Sequence, residues 1–481
     1  MLTITVDDIW AYLDGDARAF GPVDAVTSYL SPGRFFAPSF KRGTWDGRIK
    51  LREFDRKQKQ YRIPSGALEL VCEALDAAAI QYVIDDLRQI EVPELVTDLA
   101  DGTKLRPYQI EKMCLPALFK GRGVIKAIVG AGKTRVAAAL IASYNLPTLW
   151  LTDKLVLMHQ THKVLTQALG KPVGLLGGGI EQINPDITVA MVQTLVSRKD
   201  ALQNYLKTLK VLILDEAHHA AADTWFQTIQ AIPAPYRYGI TATPVFGGDG
   251  LRLLGATGSV TCEVQAQELI ESGFLMAPEI YFQTTITPEL PKGTDYRAAY
   301  KAGVTQNEDR NAQICDLAWT FYVENLISMT LTKEVGHGKL LAAMYEKMGL
   351  KAEFIHGAIT QEEREELLGR LIDRKLDHLV AQAQIMGEGV DIPQLEGLIN
   401  ATGTRGGGSS RTKSEFDTGR NTIQAIGRLL RTHPKKTKAV YVDKLDPHHK
   451  TLLAASKDRV QALKDEGFAK YLKRWEDRPI A

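Results

Sequence analysis

The sequence predicts an α/β protein: two similar halves, each a parallel sheet covered by helices, behind a small α+β N-terminal domain. Short apolar runs alternate with helical patterns between about 105 and 250, the alternation recurs in the second half, and residues 1–95 lack it. Such alternation implies parallel strands joined by helical crossovers. The first-half runs are Val124–Val129, Thr148–Leu151, Thr188–Val192, Val211–Leu214 and Tyr238–Thr241. The second-half runs are Leu326–Met329, Ala352–Ile355, His378–Ala381, Gly397–Asn400 and Ala439–Asp443. The expected domains are 1–95, 96–275 and 276–481. The junction falls within 250–310, where Leu269–Leu275 reads as a short helix ended by Gly273.

The first strand of the first half runs into Ala127-Ile128-Val129-Gly130-Ala131-Gly132-Lys133-Thr134, ahead of the helical pattern Arg135–Ser143. A strand feeding a glycine turn that opens a helix aims several backbone N–H groups at one point, which suits phosphate. Lys133 would reach the β- and γ-phosphates, and the Thr134 hydroxyl would ligate Mg²⁺. Ala127 stands where the general pattern has glycine. Downstream, the buried-strand run Val211–Leu214 ends in Asp215-Glu216-Ala217-His218. A carboxylate at a strand end can hold the phosphate-bound Mg²⁺, and the next acid can polarise the attacking water. The two motifs together identify an NTPase that uses Mg²⁺.

Near the C-terminus, Gln424, Arg428 and Arg431 fall at i, i+4 and i+7 of a helical pattern and so share one face. Two guanidinium groups there can engage a γ-phosphate as charge builds. They follow Met386–Pro393, which contains Gly389 and Asp391. In content and order these motifs resemble those of superfamily-two helicases of the DEAH type. The resemblance implies two tandem RecA-like domains, with the first lobe's phosphate loop opposite Arg428 and Arg431 of the second. It also implies that the nucleotide is ATP and that Gly389 and Asp391 belong to the nucleotide site.

Smaller motifs extend the likeness. Leu105–Gln109 resembles the adenine-recognising motif, with Arg106 and Gln109 as its contacts. Trp150–Lys154, Gly177–Gly179 and Thr188–Leu195 resemble strand-contacting motifs, which implies nucleic-acid roles for Lys154, Gly178 and Thr194. Phe354–Gly357 implies the same for His356 and Gly357. Thr241-Ala242-Thr243-Pro244 matches the motif that couples hydrolysis to strand movement, through Thr241, Thr243 and His218.

A formal charge of only +2 over 481 residues means that any basic surface must be local. The most biased stretch is Arg34–Arg62, where ten basic residues face three acids, a local +7. Phe35, Phe36, Phe40, Trp45, Phe54 and Tyr61 are interleaved with them. Basic side chains neutralise phosphates and aromatics offer stacking faces, so Arg48, Lys50 and Arg52 are candidate DNA contacts. A solvated basic hairpin with aromatics in a small core is the rival reading. Gly43–Arg48 resembles the N-terminal module of phage UvsW-type helicases. That resemblance implies remodelling of branched DNA: branch migration, fork regression, and unwinding of D-loops and R-loops in recombination, repair and replication.

Cys72, Cys114, Cys262 and Cys315 are far apart and form no zinc pattern, as expected of reduced core thiols. Met1–Asp8 lacks a charged-then-apolar signal and no run approaches a membrane span, so a cytoplasmic enzyme is expected, in host cytoplasm if phage-encoded. Expected partners are forked or branched DNA, with single-strand-binding or recombination proteins as candidates, and a monomer is expected. Gly403–Arg420 reads as a surface loop or a DNA-contacting element. Lys457–Arg474 reads as a nucleic-acid contact or a docking helix. Rival functions are an RNA helicase, the motor of a restriction or repair complex, and an ATP-gated annealing clamp.

Overall fold

The computed structural model describes residues 1–31, 33–217, 223–242, 248–291, 293–387, 392–404 and 420–478. His218, Thr243, Gly389, Asp391 and residues 405–419 lie outside the described residues. The chain forms two compact units, 1–127 with 132–264, and 128–131 with 265–481.

The first unit contains the N-terminal domain. Its strands are β1 (Leu2–Val6), β2 (Trp10–Gly15), β3 (Ser28–Leu30), β4 (Arg48–Lys50), β5 (Glu53–Asp55), β6 (Gln60–Pro64) and β7 (Tyr82–Asp86). Five of them form a sheet ordered β5-β6-β2-β1-β7, and β3 pairs with β4 in a separate hairpin. Alternate residues share a face of a strand. Leu2, Ile4, Val6, Ala11 and Leu13 therefore face one side, where Val23, Val71 and Leu75 of two helices cover them.

This domain is docked tightly on the lobe that follows it. A Cβ at Gly66 would lie 2.3 Å from the Leu254 carbonyl oxygen and 2.6 Å from that of Gly255. Both belong to the helix Gly248–Thr257. Buried Arg122 donates from Nη1 to Ser65 Oγ (2.7 Å) and from Nε to the Thr257 carbonyl (2.9 Å).

The lobe's sheet comprises β8 (Arg122–Ala127), β9 (Thr148–Thr152), β10 (Gly174–Gly177), β11 (Ile180–Gln182), β12 (Ile187–Met191), β13 (Val211–Asp215), β14 (Tyr236–Thr241) and β15 (Val260–Val264). Their order is β11-β10-β12-β9-β13-β14-β8-β15, parallel apart from the β10–β11 hairpin. All five expected runs are strands. Three further strands were unexpected: β10 is half glycine, β11 has three residues, and β15 alternates polar with apolar residues at the sheet edge.

The second unit carries β16 (Pro278–Thr284), β17 (Ser328–Thr332), β18 (Ala352–Ile355), β19 (His378–Gln382), β20 (Gly397–Asn400), β21 (Ala439–Leu445) and β22 (Leu472–Arg474). They form a parallel sheet ordered β18-β19-β17-β20-β21-β16-β22. The basic tail is thus a docked segment of this lobe. Phe468 is fully buried, Trp475 packs edge-on against Tyr281 at 5.4 Å, and Arg478 pairs with Glu324 at 2.8 Å. The architecture is two RecA-like α/β domains behind a small α+β domain. No described helix is long and apolar enough to cross a membrane, and the four cysteines are unpaired thiols.

Candidate functional site

The phosphate loop leaves β8 at Ala127 and opens the helix Lys133–Tyr144. Gly130 (φ +94°) and Gly132 (φ +81°) take the left-handed conformations that let the chain wrap a phosphate. Gly132 has a second reason to be glycine, since a Cβ there would sit 2.3 Å from Gln109 Nε2. Gln109 is buried, and its Oε1 accepts from the Arg106 backbone N–H at 2.9 Å. The adenine motif therefore rests directly on the loop. The Lys133 ammonium donates to the Ala127 carbonyl at 2.8 Å.

Asp215 ends β13, two strands from β8 across β14. Burial and the neighbouring Glu216 push its carboxyl up to about 7. Glu216 has a left-handed backbone (φ +45°), and its N–H donates to Asp215 Oδ1 at 3.0 Å. A buried carboxylate that is costly to ionise alone is relieved by a cation. With the half-buried Thr134 hydroxyl at the helix start, this donor set fits Mg²⁺, which takes one or two protein oxygens and completes its shell with phosphates and water. Among the described residues no cluster of three His, Cys, Asp or Glu could hold a metal by itself. Thr241 ends β14 and is fully buried.

The strand-contact candidates occupy the other half of the same sheet edge. Lys154 follows β9, Gly178 turns between β10 and β11, and Thr194 lies in the helix after β12. Gln193 Nε2 donates to the Asp153 carbonyl at 2.9 Å, tying two of these loops together. Gly178 (φ +59°) lies against Leu155, 2.4 Å from where its Cβ would be.

In the second lobe, His356 and Gly357 follow β18. The Ala358 N–H donates to His356 Nδ1 at 3.3 Å, so the neutral ring carries its proton on Nε2. The Gly357 N–H donates to Gln382 Oε1 at 3.0 Å, and Gln382 Nε2 donates to the Lys333 carbonyl at 3.3 Å. Gln382 ends β19, between β18 and β17, and ties their loops. Its only sequence signal is a polar residue closing an apolar strand.

The C-terminal motif differs from its expected form. Gln424 and Arg428 lie on the helix Arg420–Leu429, but Arg431 lies beyond it, bridged to Leu275 as isolated β structure. Lys436 explains the stop, because its ammonium donates to the carbonyls of Leu429 and Arg431 and so caps the helix end. Burial pulls this amine down to about 8.

In the N-terminal domain the basic residues divide into two groups. Arg52 donates twice to Asp24, at 2.5 and 2.9 Å, and covers the Phe20 and Tyr61 rings. Lys50 joins the same carboxylate at 3.1 Å, and Arg62 is held by Glu53 and Asp55 over the Trp10 ring. By contrast Lys41, Arg42 and Arg48 are exposed, beside Phe35 (58 % exposed) and Phe36 (83 %). Gly47 (φ +78°) makes this knuckle possible: its missing Cβ would strike Arg34 and Phe40 within 3 Å.

Two family models match the chain: the type III restriction enzyme res subunit over residues 102–246, and the helicase conserved C-terminal domain over 309–433. With the fold and motifs above, they make the chain an ATP-dependent helicase of superfamily two. It resembles the ATP-dependent DNA helicase uvsW of Enterobacteria phage T4, at 23 % identity over 95 % of both chains. It is also similar to the DNA 3'-5' translocase XPB2 of Sulfurisphaera tokodaii, at 26 % identity over 73 % of this chain and 85 % of that one. S. cerevisiae Dbp5 bound to RNA and ADP BeF3 shares the fold, with a TM-score of 0.51 and 17 % identity, over 77 % of this chain and 90 % of that one.

Proposed function

We propose that the protein is an Mg²⁺-dependent DNA helicase that remodels branched DNA, by branch migration, fork regression and unwinding of D-loops or R-loops. The observation that carries this reading is the exposed knuckle of Lys41, Arg42, Arg48, Phe35 and Phe36, on a domain locked to the first motor lobe. A motor moving on a duplex needs only phosphate contacts from its own lobes. Choosing a junction needs a second contact on another arm, and cations beside stacking faces provide one. The likeness to a DNA helicase, uvsW, over 95 % of both chains supports DNA as the substrate.

In this reading Lys133 leaves the Ala127 carbonyl to hold the β- and γ-phosphates, with the loop's N–H groups around them. Thr134 and Asp215 hold Mg²⁺, which neutralises phosphate charge. Glu216 orients the attacking water and takes its proton. Gln424, Arg428 and Arg431 meet the γ-phosphate, with Gly389 and Asp391 beside the nucleotide. Thr241, Thr243 and His218 couple hydrolysis to movement, and Lys154, Gly178, Thr194, His356 and Gly357 hold the strand. The enzyme acts as a monomer in the cytoplasm.

The test replaces Lys41, Arg42 and Arg48 together by alanine and compares four-way-junction with single-strand affinity across a salt series. Junction binding should weaken more, and its salt slope should fall by about three, one for each lost phosphate contact. A triple variant with full junction preference at every salt concentration refutes the proposal.

A further inference from the structure

Two donors beside the Asp215 carboxyl have no use in the activity described so far. Trp150 and Thr152 are fully buried residues of β9, the strand next to β13. Trp150 is in register with Ile213 and Leu151 with Leu214, so the register brings Thr152 level with Asp215. Side chains two apart share a face, which puts Trp150 diagonal to Asp215 and Thr152 directly beside it.

Neither the Trp150 indole nitrogen nor the Thr152 hydroxyl has a hydrogen-bond partner of full geometry among the described residues. Buried indole N–H groups usually find an acceptor. The Trp150 N–H is nevertheless near enough to Asp215 to favour its ionised form, against burial and Glu216. A carboxylate offers about four lone-pair sites. The Glu216 N–H takes one. The indole N–H and the threonine O–H would take two more and leave one for a cation.

We propose that Trp150 and Thr152 are positioning residues for the metal-binding carboxylate. Their N–H and O–H close on Asp215 when it holds a divalent cation, and together fix which lone pair faces the metal. Groups that orient a ligating carboxylate typically change metal affinity about 10- to 100-fold when lost. A core-filling role would instead change packing without regard to metal. The inference rests on Asp215 being the metal ligand of the nucleotide site.

The experiment uses full-length protein saturated with ADP and titrated with Mn²⁺, free Mn²⁺ being read by its electron paramagnetic resonance. W150F and T152V should each weaken Mn²⁺ binding about tenfold. ADP affinity in EDTA should stay within about twofold, because no metal is then present to be oriented. Mg²⁺ added to the ADP complex should shift tryptophan emission in the wild type but not in W150F. If W150F fails to fold, T152V, which conserves volume, carries the test. Mn²⁺ affinity within about twofold of wild type in the folded variants overturns the proposal, as does an equal loss of metal-free ADP binding. A wild-type protein that binds ADP but no Mn²⁺ would instead refute the Asp215 assignment itself.

Discussion

In the proposed mechanism Lys133, held by the Ala127 carbonyl, exchanges that contact for phosphate, so K133A should abolish ATP hydrolysis and leave DNA binding largely intact. Hydrolysis at the wild-type rate would refute the phosphate-loop role. E216Q should retain Mg²⁺–ATP binding through Asp215 and Thr134 while turnover stalls, which single-turnover kinetics can check. R431A should lower kcat by ~10³-fold with a much smaller effect on ATP affinity, as expected of a guanidinium that meets transition-state charge. Equal losses in the two constants would make it a ground-state contact. Gly132→Ala should cost about 1–2 kcal/mol from its left-handed backbone alone and push Gln109 off the loop as well. Discrimination of ATP from GTP should therefore weaken, measured as the ratio of their kcat/KM values.

Among the strands and helices, the second lobe's core carries a pH dependence. His378 bridges Ser328 Oγ on β17 (2.7 Å) and Thr330 Oγ1 (2.8 Å), and His337 contacts Asn311 at 2.9 Å. Burial pushes both rings down from 6.5 to about 3. In the folded lobe they stay neutral, whereas the unfolded chain protonates them near 6.5, so unfolding takes up protons below that pH. Stability is full above pH 6.5 and falls with acid by up to about 1.4 kcal/mol per pH unit for each ring. Urea unfolding at pH 7.5 and 5.5 should show this slope, reduced by about half in H378Q; equal stability at both pH values would contradict it. On the other unit, Gly66→Ala should cost roughly 1–3 kcal/mol by forcing the N-terminal domain off the helix Gly248–Thr257.

What could be read from the sequence follows from periodicity. β18 and β20 have the bounds their runs implied: β20 is buried along its whole length, as a central parallel strand is, whereas β18 is an edge strand whose Glu353 and Phe354 are half-buried. The strand–loop–helix around 127–134 and the position of Asp215 at a strand end were legible because both signals are local. Arg431 was expected on the helix, but the Lys436 ammonium that caps the helix end reaches back seven residues to Leu429, a contact that leaves no trace in periodicity. Arg52 counted as free positive charge, yet its partner Asp24 lies 28 residues away. Trp150 and Thr152 read only as members of a strand-contacting motif, with Lys154 as its candidate contact, since their place beside Asp215 depends on strand order.

Across the whole molecule, the N-terminal domain and the first lobe share buried structure: Ser65 bonded to Arg122, and Leu51 against Gly255. Removing residues 1–95 would uncover Arg122 and one side of the helix Gly248–Thr257. Loss of stability in such a truncation, measured by thermal unfolding, is therefore expected apart from any loss of junction choice. Surface substitutions separate the two effects.

The position of β16 also bears on how the protein is made. Its neighbours are β21 and β22, both more than 150 residues downstream. At ~5–20 residues per second on the ribosome, Ile280 and Tyr281, both buried at the end, wait roughly 8–30 s before β21 exists to cover them. In the first lobe the longest such wait is shorter, because β8 pairs with β14 and β15 and those strands are complete by Val264. The nascent chain should thus carry a finished first lobe beside an uncovered strand of the second, which makes that interval the point at which chaperones are needed most.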